Sequence, residues 1–181
     1  MYDRLIEKVK KKERKAQHLL YQQFASLLFR LVYRYVTNEQ DAGSIVNMAF
    51  FRIFENIGDF IYRDPNRMIA WMKKIAINES LMFLRQRFVY DNIDSCFAKD
   101  LIHEDASDKN LIAEDYYQLI RKLPLDLRTV FNLYAIDGFT HSEIAERLKI
   151  KESSSRVYLS RARFLLRSYL SENSQKNGKL I

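Results

Sequence analysis

The sequence is short of everything that breaks or staples a chain. It has 4 Gly and 2 Pro in 181 residues, too few for the turns of an all-β fold. Long helices joined by short connections are expected instead. A single cysteine, Cys96, excludes an internal disulfide. His18, His103 and His141 are far apart in sequence, so there is no Cys/His cluster and no metal site is expected. No run approaches the roughly 20 apolar residues that a membrane helix needs. Residues 1–15 lack the apolar centre of a signal peptide, and the chain reads as cytoplasmic. A Gly-rich phosphate loop is also missing. Scattered carboxylates such as Asp126 and Glu143 have no nucleophile–base partner, which argues against an enzyme, a cofactor and a small-molecule substrate.

What is present in quantity is positive charge and helical periodicity. Net charge is +7 and the isoelectric point is near 9.4, which suits a polyanionic partner as well as plain solubility. Residues 1–15 carry seven basic and three acidic side chains and read as the frayed start of a helix. Leu20, Phe24, Leu27, Leu28, Leu31 and Tyr35 recur at three- and four-residue steps and predict a helix over 17–36. Thr37 or Asn38 is suited to cap a second helix over 40–56, stopped by Gly58. After an irregular stretch around Pro65, a third helix is expected over 68–88.

The composition then changes. Residues 91–115 hold eight acidic residues and two lysines, the signature of a tether between domains. Helical periodicity resumes near Leu111. Leu123-Pro124 marks a turn, and Gly138 suits a left-handed helix exit. A short helix over 142–148, a tight turn at 149–151 and a second helix over 153–170 then form a helix-turn-helix, with small Ala145 where the helices cross.

Two constellations point to nucleic acid. Residues 149–167 hold six basic side chains, including Arg156, Arg161 and Arg163, against Glu152 alone. Such a helix can neutralise phosphates and read guanine by a two-pronged hydrogen bond, or it can be a solvated face. Its first turn, with Ser153, Ser154 and Ser155, is where base contacts are usually made. In the first half, residues 67–87 carry a net +4 with interleaved aromatics, a pattern that suits single-strand binding. Asn78 suits a base edge. Trp71 suits a stacking platform or a core equally, and Phe83 suits a core.

The string Asp41 to Phe50, the stretch Trp71 to Asn78, and the series Leu123-Pro124, Arg128 to Phe131, Asp137 to Thr140, Glu143 to Leu148 and Leu159 to Arg163 occur in one order. Together they resemble an extracytoplasmic-function (ECF) type RNA polymerase sigma factor over 17–90 and 111–170. The resemblance implies an all-α fold of two small helical domains. A sigma region 2 bundle (1–90) and a region 4 helix-turn-helix (111–172) would be joined by an acidic linker (91–110), with a tail over 173–181. It implies core RNA polymerase (clamp and flap), promoter DNA both duplex and single-stranded, and an anti-sigma factor as partners. It implies that Asp41, Ile45, Asn47 and Phe50 hold polymerase, and that Phe60, Tyr62, Arg63, Trp71, Lys73, Lys74 and Asn78 engage the melted −10 strand. Ser154, Ser155, Arg156, Leu159, Arg161 and Arg163 would face the −35 duplex. Gly43 and Ser44 depart from the family's usual acidic residues.

Overall fold

Asp64 starts the longest helix of the first half: its Oδ1 accepts from the Arg67 backbone amide at 2.9 Å, and Pro65 follows at the first helical position, where its missing N–H is no loss. The computed structural model describes residues 2–91 and 111–177, with side chains placed for 2–85 and 116–171. The chain divides into two units, 1–95 and 96–181, and every regular element among the described residues is helical. The acidic linker expected over 91–110 lies outside them except for Asp91.

The N-terminal unit holds α1 (Tyr2–Lys10), α2 (Arg14–Tyr33), α3 (Glu39–Asn56) and α4 (Pro65–Asp91). Residues 1–15 thus form a separate helix and a turn, where the sequence suggested one frayed helix. Ile6 and Val9 are buried on α1, and Tyr2 packs its ring 5.8 Å from Phe24 of α2. This apolar stripe was hidden by the surrounding charge. Asn38, and not Thr37, caps α3 by accepting from the Asp41 amide at 3.0 Å. Gly58 does not take a left-handed conformation; α3 ends at Asn56, with Ile57 still right-handed.

Helices α2, α3 and α4 pack on one another around Leu20, Leu28, Ile45, Ile53, Met68, Met72 and Leu81, all buried. Each such side chain contributes about 1.5–3 kcal/mol of burial. Met48 is 45% exposed, and Phe50, expected outside, is 2% exposed.

The C-terminal unit holds α5 (Leu111–Arg121), α6 (Leu125–Phe131) with a π turn (Asn132–Ile136), α7 (His141–Leu148) and α8 (Glu152–Asn177). Leu123, Val130, Leu133, Ile144, Leu159 and Ala162 form its core. Helix α8 passes the expected end near Leu170 and enters the expected tail, because no Gly or Pro interrupts 171–177. The π turn closes with the Asp137 amide on the Asn132 carbonyl at 2.9 Å, and Gly138 follows at φ 77°.

Arg128 is 2% exposed and donates from Nη1 to the Arg121 carbonyl at 2.8 Å. It thereby satisfies the exit of α5 from the start of the next helix. Substituting Arg128→Met, which keeps an apolar stem, removes this donor from the Arg121 carbonyl. It is expected to cost about 1–3 kcal/mol. Thermal unfolding of the full chain followed by circular dichroism checks this, since each kcal/mol moves the melting point of a unit this size by about 4–8 °C.

Candidate nucleic-acid interfaces

The helix-turn-helix is built from its caps. Thr140 accepts from the Glu143 amide at 3.2 Å, and the Glu143 carboxylate accepts from the Thr140 amide at 2.8 Å. This reciprocal box fixes where α7 begins. Its exit is closed by Lys149 at φ 55°, with the Ile150 amide on the Ala145 carbonyl at 3.1 Å. Ile144 is fully buried under the crossing, while Ala145 is partly exposed.

Helix α8 then presents two unlike faces. Inward, Ser155 is 0% exposed and Leu159 is 4% exposed. The Ser155 hydroxyl and His141 Nδ1 are joined by a hydrogen bond of 2.9 Å, and the His141 ring stacks on Tyr134 of the π turn at 4.4 Å. Outward, Ser153, Arg156, Val157, Ser160, Arg161, Arg163, Phe164 and Arg167 are exposed, with Ser154 at the margin. Of the six residues expected to face a duplex, the structure therefore places Arg156, Arg161 and Arg163 on the outer face and Ser154 beside it. It buries Ser155 and Leu159, because their helical phase is that of the core. Sequence reasoning missed Val157, although its position between Arg156 and Ser160 carried the signal.

The cations of this face are held from below. Arg156 pairs with Glu152 one turn earlier, and Arg163 lies 5.9 Å over the Tyr134 ring. Arg147 of α7 lies 4.6 Å over Phe139.

In the N-terminal unit, Phe60 and Trp71 stack at 4.4 Å, both partly exposed. This joins the loop 60–64 to the first turns of α4. Arg63, Lys74 and Asn78 are exposed; Tyr62 and Lys73 are partly so. The Tyr62 phenol is pushed up from its ordinary value by local desolvation, then by Asp3 and Asp64. Phe83 is partly exposed.

On α3, Asn47 is exposed and Asp41 partly so, but Ile45 and Phe50 are buried. They point into the bundle and are not available to a partner on the outer face. Met48 and Phe51, 54% exposed, occupy that face instead. A groove of about 360 Å³ runs between α2 and α3, lined by Tyr21, Phe29, Arg30, Gly43 and Asn47 among others. Tyr21 donates to Asn47 Oδ1 at 3.1 Å across its floor.

Residues 20–88 match the sigma-70 region 2 family and residues 113–166 the sigma-70 region 4 family. The chain is 26% identical over 166 residues to the ECF RNA polymerase sigma factor SigE of Mycolicibacterium smegmatis. That match covers 88% of this chain but only 63% of that protein. It is 27% identical over 172 residues to the ECF RNA polymerase sigma-E factor of Escherichia coli, covering 88% of each. Among solved structures, the sigma factor RpoE of Bartonella quintana, crystallised with the anti-sigma factor NepR, shares the fold with a TM-score of 0.56. It is 19% identical, and the match covers 85% of this chain and 96% of that one.

The His141 contact generates a pH prediction. Desolvation lowers the folded-state pKa of His141, and Arg156 and Arg163 lower it further against the opposing pull of Glu152. The unfolded chain therefore takes up the proton first. The stability from this site is complete above the unfolded value of about 6.5 and is lost as pH falls below it. Melting of the C-terminal unit should fall between pH 7.5 and pH 5.5, and His141→Asn, which keeps a partner for Ser155, should flatten that part of the profile.

Proposed function

Because the chain belongs to the ECF-type RNA polymerase sigma factors, carrying both family regions in order, we propose that its two units address separate elements of one promoter and help to melt the DNA between them. Members of this family bind core RNA polymerase and promoter DNA and direct initiation without being enzymes. The finer assignment rests on one observation above all. The helix that follows a tightly capped α7 turns an exposed row of arginines outward while its serine and leucine lock it from behind.

In this reading α8 enters the major groove of the −35 duplex. Arg156 reads a base edge, Ser154 assists it, and Arg161 and Arg163 meet phosphates. Ser155 and Leu159 set the angle of the helix and touch no DNA. Phe60, Tyr62 and Arg63 cradle a base turned out of the stack; Trp71 backs them by stacking on Phe60, and Lys73, Lys74 and Asn78 follow the strand. Unstacking a base costs a few kcal/mol, which these contacts offset. Asp41 and Asn47 hold the polymerase clamp together with Met48 and Phe51, which replace Ile45 and Phe50 in that role. The region 4 unit meets the flap.

The domain limits follow: region 2 over 1–90, a tether over 91–110, region 4 over 111–172. Twenty residues of tether reach at most about 70 Å. The chain works in the cytoplasm, and an anti-sigma factor covers its polymerase- and DNA-binding faces, as NepR is bound to the Bartonella protein.

Three measurements test this. Run-off transcription with core polymerase on a genomic promoter library should yield defined start sites; tight duplex binding with no loading onto core would instead make the chain a polymerase-independent regulator. Replacing Arg156 by Ala should relax base choice at one or two −35 positions by about 1–3 kcal/mol, whereas an equal loss on all sequences would leave it a phosphate contact only. The double change Trp71→Ala and Asn78→Ala should spare duplex binding and abolish permanganate reactivity at the −10 element.

A further inference from the structure

The corner between α1 and α2 has a backbone geometry that its sequence does not favour. The Lys12 amide bonds the Val9 carbonyl at 2.8 Å and the Glu13 amide bonds the Lys8 carbonyl at 3.2 Å. This is the paired-bond exit in which the next residue turns left-handed, a position that glycine fills at no steric cost. Here it is filled by Lys12 at φ 60°. A side chain there carries backbone strain, and strained positions of this kind cluster at functional sites. The only other non-glycine residue with positive φ among those described is also a lysine, Lys149, in the turn of the helix-turn-helix.

Lys12 is not alone. Lys8, Lys11, Arg14 and Lys15 are exposed around the same corner, and no ion pair holds any of these five among the described residues. Lys10 is the cation that does find a carboxylate, Glu7 at 3.3 Å. Four of the five are lysines. A lysine is a compact point charge that follows phosphates, whereas arginine's fixed fork is the usual choice for a carboxylate on a protein surface. The other end of α1 is within electrostatic reach of the loop 60–64, since the Asp3 charge raises the Tyr62 phenol. The corner is separated from that end by the nine residues of α1, about 14 Å.

We propose that Lys8, Lys11, Lys12, Arg14 and Lys15 form a phosphate-binding site that holds the DNA backbone beside the melted −10 element. The site rests on the promoter-binding reading given above. It reads no sequence. It adds affinity through released counterions and holds the duplex edge next to the strand that has opened.

The test uses the full chain and a fluorescein-labelled random-sequence duplex of about 30 base pairs, long enough for one helical turn on either side of a contact. Changing Lys8, Lys11, Lys12 and Lys15 together to Gln should make the plot of log affinity against log salt shallower by about 3–4, near 0.9 per lost phosphate. Changing Arg30 and Lys122 to Gln should alter the slope less per charge removed. The single change Lys12→Gly should raise the melting temperature of the N-terminal unit by about 4 °C or more, yet weaken DNA binding. A slope unmoved by the fourfold change overturns the proposal, as does a Lys12→Gly variant that gains no stability. So does loss of loading onto core polymerase with the slope intact, since the corner would then face protein carboxylates. Failure of the unaltered chain to load onto core overturns the sigma assignment instead, and the salt slope still decides this site.

Discussion

The angle at which α8 leaves the C-terminal unit depends on one buried hydroxyl. Ser155 is fully enclosed and meets His141 at 2.9 Å, and His141 is stacked in turn on Tyr134. A buried hydroxyl without a partner costs on the order of 1–3 kcal/mol, so the three elements that supply this contact are fixed together. The π turn inserts a residue just where Tyr134 must meet the imidazole, and single π turns in otherwise α-helical segments are frequent at functional sites. The Thr140–Glu143 box sets the phase of α7, and hence where His141 lies. The exposed arginines are therefore positioned through residues that lie behind them.

The N-terminal unit solves a different problem. Its bundle must keep a close-packed interior while leaving aromatic surface outside. It does so by phase: Phe50 turns inward against Tyr21 at 4.6 Å, while its neighbour Phe51 stays exposed. The Phe60–Trp71 stack closes the loop onto α4 without burying either ring completely. Two adjacent phenylalanines thus serve packing and display, and a rotation of about 100° per residue separates the two roles.

Helix existence was legible because the apolar positions recur at helical steps and the chain has almost nothing to interrupt them. The left-handed exit at Gly138, the tight turn at Lys149 and the resumption of helix at Leu111 were equally readable. What failed was phase at the level of single residues. Ile45, Phe50, Ser155 and Leu159 belong to motif strings, but one string covers a whole turn, and only some of its members face out. Nor did the sequence expose α1, whose two buried residues are outnumbered by charges. The His141–Ser155 contact joins residues fourteen apart in sequence and has no local signature at all.

The pairing of Arg156 with Glu152 on its own helix gives the outer face of α8 an internal competitor. A guanidinium already held by a carboxylate exchanges only for acceptors that hold it better. An ion pair this exposed is itself worth only a fraction of a kcal/mol to about one. Any ligand of Arg156 has to exceed that modest amount, so the acidic side chain sets a threshold on an otherwise basic helix.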